Sequence, residues 1–218
     1  MKQYELVIFD WDGTLMDSIG KIVIAMQRAA EHLNMPVPTE QQVRDIIGLS
    51  LDKAVQQLFP NISQQQIAEL AQYYSHFYKA SDDFASPLFD GVVELLQQLK
   101  QADIKLAVAT GKSRRGLDRV LALTELADIF DTTRCADEAC SKPAPEMILQ
   151  ILSQLNVAPE KALMVGDSIH DLNMANNAGV DGVGVTFGAH DRVTLAQASP
   201  LAIIDNSLSL LDIINGIA

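Results

Sequence analysis

The sequence predicts a doubly wound α/β protein, a parallel-sheet core with an all-helical segment inserted after its first strand. Two observations predict it. Four apolar runs, 5–9, 104–109, 162–165 and 180–185, are too short for helices and too continuously apolar for strands with one wet face, so they read as buried parallel strands. Helical patterns separate the later runs, which makes the alternation expected of crossover units. The stretch 17–87 carries helical spacing alone and reads as an insert.

In chain order, the first strand is followed by Ile19, Ile22, Val23, Met26, Ala29, Ala30 and Leu33 at helical spacing. Thr39 with Gln42 and Ser63 with Gln66 form capping boxes that open further helices. Leu51, Ala54, Val55 and Leu58 make one apolar face, and Ile67, Leu70, Tyr74, Phe77 and Tyr78 another. Beyond the insert, Val92, Val93, Leu95, Leu96 and Leu99 predict a helix before the second strand. Leu117, Val120, Leu121 and Leu123 predict one after it. A further strand is expected to end near Cys135, ahead of a helix from about Pro145 that carries Met147, Ile148, Ile151, Leu152 and Leu155.

Composition narrows the function. A formal charge of −12 over 218 residues argues against a nucleic-acid partner, because phosphate backbones are bound by clustered Lys and Arg. It leaves room for a small anionic substrate if a cation stands between that substrate and the carboxylates. Cys135 and Cys140, the two cysteines, match neither a redox pair nor a zinc knuckle and read as incidental thiols of a reducing compartment. No run approaches the ~18 apolar residues of a membrane span, and the N-terminus has no secretory pattern. The expected setting is cytoplasmic, as a monomer or weak homodimer, without membrane or nucleic-acid partners.

Three apolar runs stop at a polar residue: Asp10, Thr110 and Asp167. Ligands of open parallel sheets bind beyond the carboxyl ends of the strands, so these three residues are expected at one crevice. Asp12 lies two residues beyond Asp10 and leans the same way while the chain is extended; Gly13 then permits a turn. An EF-hand would need Gly at position 15 and Glu at position 21, which hold Leu15 and Lys21. Asp167 and Asp171 add a second acidic pair. Four carboxylates at one sheet edge need a counter-ion, and a hard divalent cation with oxygen ligands, Mg²⁺, meets that need. Lys142, in "SKPAPE", supplies an ammonium charge beside them. Thr110 and Gly111 offer a hydroxyl and an N–H to a phosphoryl oxygen. "GKS" at 111–113 is not a P-loop, since Leu106 stands where its first glycine belongs. Gly182, Gly184 and Gly188 are spaced one residue too wide for a dinucleotide fingerprint.

FDWDGTL, ATGK, SKPAPE and GDSIHD, in this order, resemble the four motifs of the haloacid dehalogenase superfamily. The insert after the first motif resembles the type 1 cap of its subfamily IA, as in phosphoglycolate phosphatases and β-phosphoglucomutases. The resemblance covers essentially the whole chain. It implies a Rossmann-like core, residues 1–16 and 88–218, and a helical cap, residues 17–87. It further implies Asp10 as nucleophile, Asp12 as general acid and base, Thr110 as phosphate anchor, and Lys142 as the charge holding nucleophile and phosphoryl group. Mg²⁺ would be bound by Asp10, the backbone carbonyl of Asp12, and Asp167, with Asp171 acting through water. A carboxylate meeting a phosphate oxygen at ~4 Å faces repulsion of roughly 4 kcal/mol per charge pair in a surface-like dielectric, which such cations offset.

Within the superfamily, Asp12 points to phosphoryl transfer, since the dehalogenases lack a carboxylate there. The expected activity is Mg²⁺-dependent hydrolysis of small phosphate monoesters, of the phosphoglycolate or sugar-phosphate class, through an aspartyl-phosphate. The alternatives are a β-phosphoglucomutase-like isomerase and a catalytically silent phosphate-binding protein. The mutases carry a cap arginine that grips a second phosphate; here Leu51 stands in that place, with Arg44 and Lys53 nearby as helix-surface charges. Asp90 stands at the return hinge where phosphoglycolate phosphatases commonly have proline. His32, His76, His170 and His190 have no metal-like spacing and are expected on helix surfaces and loops.

Overall fold

The computed structural model describes residues 4–80 and 86–216; residues 1–3, 81–85 and 217–218, which the expected domain ranges include, lie outside the described residues. Six strands, β1 (Leu6–Phe9), β2 (Lys105–Thr110), β3 (Thr132–Cys135), β4 (Ala162–Gly166), β5 (Asp181–Val185) and β6 (Ala202–Ile204), form one sheet ordered β3-β2-β1-β4-β5-β6. Every neighbouring pair is parallel.

Alternation along β1 explains its unbroken apolar run. Leu6 and Ile8 pack on one face with Met147, Ile151, Met164 and Met174. Val7 and Phe9 pack on the other with Leu95, Leu96, Leu106 and Val165. Both faces are covered, so no position along the strand is free to be polar. The first of these layers is built by α7 (Glu146–Leu155) and α8 (Ile169–Ala178), the second by α5 (Val92–Gln101), α6 (Arg114–Thr124) and α10 (Leu210–Ile214). A short α9 (Arg192–Ala196) packs on β5 and β6. The sequence reading anticipated α5, α6 and α7 but not β6, α8, α9 or α10.

The chain winds outward through β2 and β3, then returns to place β4 on the other flank of β1. A crevice opens beyond the carboxyl ends of β1 and β4, where the winding reverses.

Between β1 and β2 the chain forms α1 (Ile19–His32), α2 (Glu40–Arg44), α3 (Leu51–Leu58) and α4 (Gln64–Ala80). These helices make a cap with a core of its own, including Ile22, Met26, Ala29, Val43, Val55, Ile67 and Leu70. Both expected capping boxes are present: Thr39 N–H donates to Gln42 Oε1 at 2.9 Å and Ser63 N–H to Gln66 Oε1 at 2.9 Å, each answered by the reverse bond at 3.2 Å. The chain leaves and re-enters the core side by side. Met16 bridges Leu88, and Asp17 N–H donates to the carbonyl of Pro87 at 2.9 Å. Asp90 sits in the turn after this hinge, ahead of Gly91 at the start of α5.

The cap is seated on the core. Ser50 N–H donates to Ser141 Oγ at 2.9 Å, and Arg44 donates to the carbonyl of Gly188 at 3.2 Å. Gly111 lies directly beneath the cap loop: a Cβ there would come within 2.5 Å of the Leu49 carbonyl oxygen and 2.7 Å of that of Gly48. Both are backbone atoms that cannot swing aside. Gly111→Ala is therefore expected to lift the cap while the sheet stays folded. Hydrogen exchange should rise at residues 48–50 with β1 and β4 still protected, and turnover should fall at least tenfold. Unchanged exchange at the cap loop with full turnover would refute this seating role.

Candidate active site

β1 delivers Asp10 to the crevice, its N–H bonded to the carbonyl of Val165 at 2.9 Å. The chain then turns tightly: Gly13 N–H donates to the Met16 carbonyl at 2.8 Å, and Gly13 adopts φ +81°, open to glycine at little strain. A side chain there would also strike Asp167, whose Oδ2 lies 2.1 Å from the position of a Cβ.

Asp167, at the end of β4, is held on both oxygens. Thr14 Oγ1 donates to Oδ1 at 2.9 Å and Ala189 N–H to Oδ2 at 2.7 Å. Asp171 is the third residue of α8 and completes a capping box with Ser168, accepting from the Ser168 N–H at 3.1 Å and hydroxyl at 2.6 Å. Its other oxygen accepts from Lys142. The Lys142 ammonium, wholly buried, lies 2.7 Å from Asp10 Oδ1 and 2.6 Å from Asp171 Oδ1.

Oxygens of Asp10, Asp167 and Asp171 lie within 4.8 Å of one another, and all three residues are buried. Asp10 Oδ2 is buried without a hydrogen-bond partner among the described residues. An acceptor so placed is destabilising unless something positive meets it. Burial pushes the Asp10 carboxyl up to about 7, with Lys142 pulling it down and Asp171 and Asp12 pushing it further up. Burial likewise carries Asp167 well above the ordinary carboxylate range, with Asp10 and Asp171 adding to the effect. For Lys142 burial acts downward, but Asp10 and Asp171 outweigh it and keep the ammonium charged. All-oxygen donors, crowded and short of one positive partner, fit a hard divalent cation.

Asp12 stands apart from this cluster. Its Oδ1 accepts from Lys112 Nζ at 2.9 Å and from the Ser18 hydroxyl. Lys112 also reaches the Tyr78 hydroxyl of α4 at 3.3 Å, so a cap residue touches the cation that holds Asp12. Thr110, at the end of β2, is buried and accepts from the Lys112 N–H at 3.2 Å. Asp10, Asp12, Thr110 and Gly111 all border one cavity of ≈ 780 Å³ between cap and core.

Lys112, Ser18 and Thr14 were missed in the sequence. Lys112 was quoted in the rejected P-loop pattern and in ATGK but given no role, although its place two residues beyond a strand-end threonine marked it as a neighbour of the crevice. Leu51 borders the cavity, as its correspondence to the mutase arginine requires, while Arg44 turns to Gly188 and Lys53 borders a different cavity beside Cys140. Arg44 is thus not merely a solvated helix charge; it fastens cap to core. His190 lies in a loop as expected, yet its ring is buried and Nδ1 accepts the Ile169 N–H at 3.0 Å. His170 Nε2 lies 3.0 Å from the Asp45 carbonyl oxygen, another cap contact. Cys135 is buried, Cys140 exposed, and both are free. Among the described residues no helix is long and apolar enough to cross a membrane.

A parallel sheet with a helical cap over a strand-end carboxylate cluster defines a capped α/β protein of the doubly wound class, with an acidic crevice between cap and core. Residues 7–185 match the family of haloacid dehalogenase-like hydrolases, and the chain belongs to that family. It is 40% identical over 204 residues to the "Probable phosphatase IndB" of Dickeya dadantii, covering 92% of this chain and 89% of the relative. It is 31% identical over 221 residues to a phosphoglycolate phosphatase of Vibrio vulnificus, covering 98% and 97% of the two chains. The crystal structure of a hydrolase from Pseudomonas syringae superposes with a TM-score of 0.90 at 26% identity, over 99% of both chains.

The raised carboxyls give a pH signature for the metal-free protein. A group whose folded pKa lies above its ordinary value, 3.8 here, stabilises the fold below that value and loses the contribution as pH rises through the folded pKa. In EDTA the unfolding free energy should therefore fall between pH 4 and about 7. Mg²⁺ should restore about 2.7 kcal/mol at pH 7.5 when present at a hundredfold excess over its Kd at that pH, and less at pH 5 at the same concentration. Thermal unfolding with and without Mg²⁺ measures this; equal effects at both pH values would remove the cation from the cluster.

Proposed function

We propose that this chain is a Mg²⁺-dependent phosphatase that hydrolyses small phosphate monoesters, of the phosphoglycolate or sugar-phosphate class, through an aspartyl-phosphate. The cap is assigned to residues 17–87 and the core to 1–16 with 88–218. One observation carries the reading: Asp10 borders the cap–core cavity with one carboxylate oxygen fixed by Lys142 and the other without a hydrogen-bond partner among the described residues. A carboxylate so held is a nucleophile with one oxygen fixed and one free.

Asp10, Asp167 and the Asp12 carbonyl would hold Mg²⁺, with Asp171 acting through water because its carboxylate is engaged by Ser168 and Lys142. When bound, the ion supplies positive charge against the phosphoryl oxygens and the carboxylates. The chain's own residues do the rest. Thr110 and the Gly111 N–H hold the phosphoryl oxygens, and Lys142 adds a buried positive charge. Asp10 Oδ2 attacks phosphorus as the ester P–O bond breaks, and Asp12 gives its proton to the departing oxygen. Asp12 then accepts a proton from the water that attacks phosphorus, and the acyl-phosphate bond opens to return the Asp10 carboxylate. The bond from Lys112 keeps Asp12 at the cavity wall.

The mutase alternative requires a grip on a second phosphate. Leu51, apolar and on the cavity wall, supplies none at the position where those enzymes carry arginine.

Asp10→Asn should be folded and inactive, since an amide is a poor nucleophile; phosphate release from p-nitrophenyl phosphate above background would exclude Asp10 as the covalent residue. Asp12→Ala should separate the two steps. Nitrophenolate leaves without a proton, whereas an alkoxide needs one, and general acid catalysis is typically worth ~10²–10⁴-fold. Stopped-flow should record a nitrophenol burst of about one equivalent per site followed by slow turnover, with phosphoenzyme trapped on acid quench. Equal losses on p-nitrophenyl and sugar phosphates, with no burst, would make Asp12 structural.

A further inference from the structure

We propose that the natural substrate is a sugar monophosphate carrying an aromatic ring at the end remote from its phosphate, and that the cap–core cavity is built around that ring. The inference rests on the phosphatase reading and narrows its substrate class.

The cavity measures ≈ 780 Å³ with the cap already seated on the core. Cavities of roughly 300–1,000 Å³ enclose drug-sized ligands. The two-carbon acid of phosphoglycolate would leave most of this space to water. The walls beyond the carboxylates are largely hydrocarbon: Ile22, Met26, Ile47 and Leu51 border it from the cap, and Tyr74 and Tyr78 stand on α4 with ring centroids 5.9 Å apart, tilted by 35°. Such walls gain by covering a flat apolar body and gain nothing from a carboxylate.

The cations around the cavity fit this division. Lys112 is engaged by Asp12 and the Tyr78 hydroxyl, and Arg119 stands 5.7 Å from the Tyr78 ring centroid. Lys79 and Arg115 border the cavity but are exposed. On a protein of charge −12 these exposed cations draw an anionic ester toward the cavity. Lys21 and Lys112, 4.7 and 4.9 Å from the Tyr78 ring centroid, stand with Arg119 around that ring and leave Tyr74 and the aliphatic side chains as the apolar wall. Phosphate meets the core at one end, and the ring meets the cap at the other.

Steady-state hydrolysis of uridine 5′-monophosphate, ribose 5-phosphate and phosphoglycolate by the full chain with Mg²⁺ tests this, p-nitrophenyl phosphate serving as the chemical control. The ring-bearing ester should exceed both others in kcat/KM by at least tenfold. Leu51→Trp, which fills the cavity, should bring the ratio of uridine monophosphate to ribose phosphate down at least tenfold, while Leu51→Ala should keep a preference for the ring. Ribose 5-phosphate or phosphoglycolate turned over as well as the nucleotide by the unmodified chain would overturn the inference, whether or not the tryptophan variant folds. No hydrolysis of any ester, the nitrophenyl control included, would overturn the phosphatase reading and this inference with it.

Discussion

The Lys142 ammonium, wholly buried between Asp10 and Asp171, is the interaction on which the rest of the site depends. Three buried carboxylates share that region with a single ammonium, so the fully ionised cluster is two negative charges in excess. Removing one partner of a buried ion pair typically costs about 3–5 kcal/mol, because the other is left uncompensated. The surroundings make sense as means of tolerating this charge. Thr14 and the Ala189 N–H satisfy both oxygens of Asp167, the start of α8 takes up Asp171, and of the three carboxylates Asp10 alone keeps an oxygen without a hydrogen-bond partner among the described residues. That excess of negative charge is what a hard divalent cation with oxygen ligands would offset.

The division of labour between core and cap follows from the topology. Asp10, Thr110 and Asp167 stand at the ends of strands buried on both faces, while Asp171 comes from the first turn of α8 and Lys142 from the turn before α7. Among the described residues the cap meets this frame through Arg44, Asp45, Ser50, Tyr78 and the loop lying on Gly111, with Ala189 of the core packed into its apolar cluster. A surface with a small set of polar contacts over a large cavity can part and reseat without disturbing the sheet. The chain from Tyr78 through Lys112 passes from the cap to Asp12 within two side-chain contacts.

Much of this was legible in the sequence, for identifiable reasons. β1, β2 and β4 announce themselves because burial on both faces forbids polar residues, and Asp10, Thr110 and Asp167 announce themselves by ending those runs. The cap helices were readable from spacing and from two capping boxes whose side chains behave as their residue types demand. β6 was not readable, being a three-residue edge strand with half-buried positions. α8 was hidden because Asn173, Asn176 and Asn177 dilute its apolar pattern, although Ser168 and Asp171 were a capping signal in plain view. Asp171 was read as half of an acidic pair and as a metal ligand through water, while its bonds to Ser168 and Lys142 depend on how that helix begins. Lys112 could not be assigned from sequence because its partner Asp12 is distant along the chain, and only the pairing of β1 with β2 brings them together.

The paired crossings at Met16 and Leu88 bear on how such a chain can fold at all. β1 cannot pair with β2 until the whole insert has been gathered in, and closing a long flexible loop carries an entropy that grows with the logarithm of its length. The cap has an apolar core of its own, and in it α1 packs on α4, the helices nearest the two ends of the insert. Once it condenses, its two ends emerge side by side, and for the sheet the long loop becomes a short one. The insertion that seems to interrupt the central strand pairing therefore acts as an internal splint for it. The length and composition of the cap can then vary widely without slowing assembly of the catalytic sheet, provided its two ends still leave as neighbours.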